Sequence, residues 1–260
     1  MPKFITVTNQ KGGVGKTALA VHIAAYAAGT GKKTLLVDMD MQRNSTFITT
    51  GKSVYDGFLV TDLWDEEAPL SFADTRFGSL QILPGDKSIG EVAKQSDAEA
   101  MKAIGRLKET DFDVVVFDTP PAAGIQQHAP LHLGGVLVAP LEPDLLAVQG
   151  LTSLIDLWRR VRHGIRVPLE LVLVINKRVL NSANQQSVVD MIANSPFGSH
   201  LLPQQLTHRQ LVSNAMKQGV PVWVADKKDP GASAWALVCK SILDKQDIDV
   251  VPEEVGNGEN

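Results

Sequence analysis

Lys11-Gly-Gly-Val-Gly-Lys-Thr17 lies between an apolar, β-branched run, Phe4-Ile-Thr-Val-Thr8, and an alanine-rich run from Ala18 to Ala28. The first run predicts a buried strand and the second a helix. A glycine-rich turn between a strand and a helix is the setting in which a phosphate-binding loop works. Gly12, Gly13 and Gly15 let backbone amides crowd around phosphate oxygens with no Cβ in the way. The N-terminus of the following helix adds its partial positive charge at the same place. Lys16 is positioned to reach the outer phosphates and the Thr17 hydroxyl to ligate a magnesium ion. Val14 and Ala18 complete the backbone cradle.

The usual phosphate loop reads G-x-x-x-x-G-K-[ST]. Counting back from Gly15 puts Gln10, not glycine, at its first position, and a second lysine, Lys11, follows it. This resembles the deviant Walker A motif, KGGxGK[ST], of the ParA/MinD superfamily of dimerising ATPases. The resemblance implies that Lys11 crosses a homodimer interface to the partner's nucleotide, with ATP sandwiched between the two copies. It further implies ATP and Mg2+ as cofactors.

Length and composition set broad limits. A chain of 260 residues can bury one large α/β core. The net charge of −4 carries no global basic signature, so nucleic-acid contact needs a local patch. A single cysteine, Cys239, excludes an intrachain disulfide or a cysteine-built metal site within one chain. No apolar run approaches membrane-span length, and Met1-Pro-Lys3 leads straight into a strand without a signal peptide. The expectation is a cytoplasmic protein that does not engage the membrane.

Further strands are predicted at Lys32–Asp38, Leu80–Leu83, Asp113–Asp118, Gly135–Ala139 (stopped by Pro140) and Leu169–Ile175. Between them the pattern predicts helices over Ser88–Glu109 (with Ile89, Val92 and Ala93 on its apolar face), Asp144–Arg162, Gln185–Ala193, Arg209–Lys217 and Ala232–Leu243. A short strand is expected near Leu201. Arg43–Ser79 is irregular apart from a short helix around Val54–Trp64. Strands alternating with helices predict an α/β fold, a mostly parallel twisted sheet with helices on both faces. One domain over residues 1–243 is expected, followed by an acidic, disordered tail over 244–260.

Asp118 ends an apolar strand of the Walker B type, where a carboxylate can hold magnesium opposite Thr17; the same position also suits an aspartate that caps the next turn. Asp38-Met-Asp40-Met-Gln42 resembles the family's DxDPQ segment, which gives Asp40 the role of positioning the attacking water. Asp38 then supports it or holds a magnesium-bound water. Met41 replaces the family's proline and Arg43 a small residue, which places the hydrolysis rate in question more than nucleotide binding. The resemblance thus makes Lys11, Lys16 and Asp40 the catalytic set and Thr17, Asp118 and Asp38 the metal set. Thr119-Pro-Pro-Ala-Ala-Gly124 falls where the family has its γ-phosphate sensor, although the prolines equally terminate a strand. Asn176 resembles the family's adenine-side contact, yet an asparagine after a strand is also an ordinary turn residue. Leu206-Thr-His-Arg-Gln210 and Gly219–Ala225 match the compact plasmid-partition branch, so the resemblance spans Lys3 to about Leu243.

The output of such a switch is suggested by charge. Arg159, Arg160 and Arg162 sit near one helix end, with His163 and Arg166 beside them. Lys217, Lys227, Lys228 and Lys240 come from the C-terminal third. The resemblance implies non-specific, salt-sensitive DNA binding through such residues, nucleoid association, and a separate ParB- or ParG-like activator. A solvated helix face accounts for one or two of the arginines without DNA. A positioning ATPase for a protein cargo uses the same parts. A MinD-like membrane regulator lacks its basic amphipathic C-terminal helix here. A nitrogenase-reductase-like carrier lacks its cysteines, and a metal hydrolase would rest on His128 and His132 across Pro130.

Overall fold

The computed structural model describes residues 1–92 and 96–245. Seven strands make one sheet: β1 (Lys3–Val7), β2 (Thr34–Asp38), β3 (Ala73–Asp74), β4 (Gln81–Leu83), β5 (Val114–Asp118), β6 (Gly135–Leu141) and β7 (Leu169–Ile175). Their order is β3-β4-β2-β5-β1-β6-β7. All neighbours pair in parallel except the short edge strand β3, which runs against β4. The helices are α1 (Lys16–Gly29), α2 (Asn44–Thr50), α3 (Ile89–Val92), α4 (Asp97–Gly105), α5 (Ile125–His128), α6 (Leu145–Gly164), α7 (Ala183–Ala193), α8 (Gln210–Gln218), α9 (Val222–Ala225) and α10 (Pro230–Asp244).

Alternation along each strand sorts the core into two faces. Ile5, Val7, Leu36, Val114, Val116, Val172 and Val174 point toward α1, α9 and α10, where Ile23, Val222, Trp235 and Val238 close over them. The intervening residues Phe4, Leu35, Val37, Val115 and Phe117 meet Ala103 and Ile104 of α4. Leu171, Leu173 and Ile175 meet Leu154, Ile155 and Trp158 of α6 and Val188 of α7. Both faces are covered, which is why the strands read as continuous apolar runs.

The structure departs from the sequence reading in four places. First, α2 occupies a segment expected to be irregular, and the short helix around 54–64 shrinks to a 3-10 turn at Val60–Trp64. Asn44-Ser-Thr-Phe-Ile-Thr-Thr50 is rich in β-branched and polar residues, poor helix formers by themselves. The α2 fold depends on Asp38, whose Oδ2 accepts from the Thr46 amide (2.9 Å) and hydroxyl (2.7 Å). Second, β6 runs through Pro140 to Leu141. Pro140 has no N–H to give, but β1 stops pairing at Val138, so no donor is missed on that side. Third, the single helix expected over 88–109 is α3 and α4 followed by a 3-10 turn at Arg106–Glu109; Ala93 lies outside the described residues. Fourth, the strand near Leu201 is an isolated bridge to Leu173. The acidic tail expected to be disordered lies, from 246 onward, outside the described residues, and α10 ends at Asp244.

Candidate functional site

β1 sits in the sheet interior between β5 and β6, so the loop after Val7 opens between strands whose connections diverge to opposite sides. That is where ligands bind in open α/β sheets. Within the loop, Gly13 (φ 76°) and Gly15 (φ 96°) adopt left-handed backbone, and Gly12 does not. Gly15 is constrained twice over, because an added Cβ would also lie 2.3 Å from Asn176 Nδ2. Asn176 braces the loop from the end of β7. Its Nδ2 donates to the Val14 carbonyl at 2.8 Å, and its Oδ1 accepts from the Lys177 amide at 2.9 Å. On the other flank, the Lys11 amide donates to Asn9 Oδ1, and Asn9 Nδ2 donates to the Pro140 carbonyl, each at 2.9 Å. The buried Val14 side chain pins the middle of the loop. Lys16 curls back so that Nζ donates to the Lys11 carbonyl at 3.0 Å. Burial pulls its ammonium below the ordinary lysine range, while Asp118 and Asp40 pull it back up.

The carboxylates converge through strand register. Asp38 of β2 and Asp118 of β5 are direct neighbours, and Asp118 is also the partner of Val7. Both are fully buried on the face that α1 covers. Burial, then the charge of Asp38, pushes Asp118 up to about 8, and the Thr17 and Ser45 hydroxyls beside it pull it partly back. Neither Asp118 oxygen makes a hydrogen bond of good geometry among the described residues. A buried carboxylate without a partner is unstable unless something positive meets it. With the Thr17 hydroxyl alongside, this donor set fits a hard divalent cation such as magnesium. Asp38 is different: its oxygens already accept from Thr46 and, at 3.1 Å, from the Asp40 amide. Burial raises its pKa as well. Asp40, nearly buried, accepts from the Gln42 amide at 2.9 Å and faces Lys16 electrostatically.

A cavity of about 520 Å³ opens beside the loop, with Gly15, Thr17, Ala18 and Asn176 on one side. Thr207, His208, Arg209, Gln210 and Met216 form the other. The brace role of Asn176 and the opposing wall at 207–210 were not legible as geometry in the sequence. The β7 strand end and the Leu206–Gln210 block each stood out there only as family-like words. Arg209 is itself fixed, with its Nε donating to Thr207 Oγ1 (2.9 Å) and its guanidinium paired with Asp229.

A family model described as an AAA domain matches residues 2–171. The chromosome-partitioning ATPase Soj of Treponema pallidum is 29% identical over 94% of this chain and 98% of its own length. The chromosome partitioning protein ParA of Caulobacter vibrioides is 29% identical over 94% of this chain and 95% of its own. A cobyrinic acid a,c-diamide synthase from Mycobacterium smegmatis, solved with an ATP analogue and magnesium, superimposes with a TM-score of 0.76 at 21% identity. That match covers 94% of this chain and 95% of the other. The chain belongs to this AAA-domain family and is a ParA/MinD-type ATPase.

In this ParA/MinD-type chain the distinctive lysine, Lys11, is held within its own subunit. Its ammonium pairs with Asp144, which simultaneously caps α6 by accepting from the Ala147 amide at 3.0 Å. The basic residues expected to act together fall on opposite faces of the sheet. Arg159, Arg160 and Arg162 ride on α6, which packs on Leu171 and Leu173. Lys217 on α8, Lys227 and Lys228 before α10, and Lys240 on α10 belong to the face of Val172 and Val174. Strand alternation is the reason. Lys240 is further engaged with Asp244 one turn on. Among the described residues no cluster of three or more His, Cys, Asp and Glu could hold a metal, and no helix is long and apolar enough to cross a membrane. His128 and His132 stack edge to face at 6.3 Å, with Asp97 Oδ1 3.4 Å from His128 Nε2.

Proposed function

We propose that this protein is a magnesium-dependent, dimerising ATPase that positions DNA, closing on ATP and opening on hydrolysis. The observation that carries the nucleotide part is the conjunction of the Gly15–Asn176 brace, the inward-curled Lys16 and the unpartnered Asp118 around one loop. The loop amides and Lys16 receive the phosphates, and the neighbouring cavity receives the base and sugar. Asn176 supports this site by shaping the loop; its amide already makes two hydrogen bonds, so base contact falls to the 207–210 wall as well. Magnesium held by Thr17 and Asp118 neutralises phosphate charge when bound. Asp40 orients the attacking water, and Lys11, released from Asp144, reaches the partner's nucleotide in a sandwich dimer. Phosphoryl transfer asks mainly for such positioning and positive charge.

The positioning role is supported by the partition ATPases among the relatives and by exposed basic residues on two faces. In this reading the ATP-bound dimer holds DNA through its phosphates, without sequence preference, and a cargo-bound activator of the ParB or ParG kind triggers release. Lys11→Ala should keep much of the ATP affinity and lose dimer-dependent turnover; an unchanged steady-state ATPase rate would overturn the trans role. DNA retention should require ATP and fall steeply between low and moderate salt. Binding that ignores both ATP and salt would favour a protein cargo instead.

A further inference from the structure

The turn that leads out of β7 is held by a buried cation. β7 ends at Ile175, and two residues later Lys177 adopts left-handed backbone (φ 56°). A lysine does not favour that conformation, and it persists only where neighbouring contacts over-determine it. Arg178 supplies those contacts. It is 4% exposed, and every nitrogen of its guanidinium is engaged. Nε donates to Gln205 Oε1 at 3.2 Å, Nη1 to the Val179 and Ser182 carbonyls at 3.4 Å, and Nη2 to Gln186 Oε1 at 2.6 Å. All four acceptors are neutral. A buried charge without a counter-ion is costly unless hydrogen bonds meet it in full. Gln186 passes part of the charge outward, since its Nε2 donates to Asp190 Oδ1 at 2.7 Å.

The same residue links the two sides of the nucleotide cavity. Arg178 forms an isolated parallel bridge with Thr207: its amide donates to the Leu206 carbonyl and its carbonyl accepts from the His208 amide, each at 2.9 Å. Arg178 does not line the cavity, but Asn176 and Lys177 just before it do, and so do Thr207, His208, Arg209 and Gln210. From Leu201 to Arg209 the chain has no helix and no strand longer than a bridge. Such a segment moves unless it is tied down. Its backbone ties to the sheet are the Leu202 amide on the Leu173 carbonyl (2.9 Å), the Leu206 amide on the Ile175 carbonyl (2.8 Å) and the Arg178 bridge. The guanidinium adds a side-chain tie through Gln205. Its planar fork sends donors to the wall, to the turn and to α7 at once, where a lysine has a single nitrogen.

We propose that Arg178 is a positioning residue that sets the gap between the Asn176 side of the cavity and the 207–210 wall, and so the fit of the nucleotide's base and sugar. It acts through Gln205 and Thr207 and leaves the phosphate loop, Asp40 and Asp118 to their own contacts. The proposal rests on the reading of this cavity as the base side of the ATP site. Loosening the wall then weakens ATP binding and spares turnover at saturation.

Steady-state ATPase kinetics on the full chain, at one fixed protein concentration, test it. Arg178→Lys keeps the charge and loses the fork, so KM for Mg–ATP should rise about tenfold while kcat stays within about twofold. Gln205→Ala removes one bond and no charge, so it serves even if Arg178→Lys fails to fold; it should raise KM about threefold. A merely structural role gives the opposite pattern, a lower kcat from fewer active molecules at unchanged KM. An unaltered KM in the folded variants, or a loss that falls on kcat alone or on kcat and KM by equal factors, would overturn the proposal. Lys16→Ala is the control for the underlying reading. If it abolishes turnover while KM ignores Arg178 and Gln205, the proposal fails alone; if it keeps wild-type turnover, the ATP-site reading fails with it.

Discussion

Gly15→Ala measures how far the nucleotide site depends on the close approach of loop and brace. Two effects add. The backbone at Gly15 is left-handed, which disfavours alanine by about 1 kcal/mol. The new Cβ would also lie 2.3 Å from Asn176 Nδ2, so the side-chain amide must swing away. Its bonds to the Val14 carbonyl and the Lys177 amide are then lost, at about 1 kcal/mol each. The total is about 3 kcal/mol, on the order of a hundredfold in ATP affinity if the binding conformation carries all of it. Asn176→Ala alone loses the two hydrogen bonds, about 2 kcal/mol. In the double variant the clash is gone and the bonds are already absent, so the combined loss should stay near 3 kcal/mol, well short of the roughly 5 kcal/mol sum. Calorimetric titration of ATP and thermal unfolding of the four proteins give this cycle directly. Strict additivity, or wild-type affinity in Gly15→Ala, would refute the brace.

Three other outcomes follow from the same geometry. Burial and Asp38 raise the Asp118 pKa above its unfolded value, so the folded chain holds the extra proton; without ligand, stability should fall as pH rises from about 4 to 8. Mg–ATP should therefore stabilise more at pH 8.5 than at pH 6.5, and Asp118→Asn should flatten both trends in thermal unfolding; an unaltered pH profile would count against the metal role. His22 is buried between Trp223 and Trp235, with Nδ1 donating to the Ala18 carbonyl and Nε2 accepting from the Val222 amide. Burial lowers its pKa to about 4, so its neutral form stabilises the fold fully above pH 6.5, and this contribution is lost as pH falls from 6.5 to about 4. The loss amounts to about 3 kcal/mol in acid denaturation, and His22→Leu should remove that slope. Asp144→Asn keeps the α6 cap but loosens Lys11, so ATP-dependent dimers should form at a few-fold lower concentration in sedimentation, since an exposed pair contributes about 0.2–1 kcal/mol. No change in dimerisation would show that the pair does not restrain Lys11.

By itself the sequence determined the loop, the strands that flank it and the family. Short-range rules suffice there: Lys11–Thr17 is contiguous, and each central strand is apolar on both faces. It also marked Asp38, Asp40 and Asp118, because strand ends are visible as the last residues of apolar runs. What depended on which strand lies beside which, and on which face a helix packs, was settled only in three dimensions. Register put Asp38 next to Asp118 and so left one carboxylate satisfied by Thr46 and the other without a hydrogen-bond partner. Contact across more than a hundred residues made Asn176 a brace and Asp144 the holder of Lys11. The α2 helix formed against its own propensity because a buried carboxylate waited at its first turn. Strand alternation, a period of two that no distant residue reveals, divided the basic residues between opposite faces.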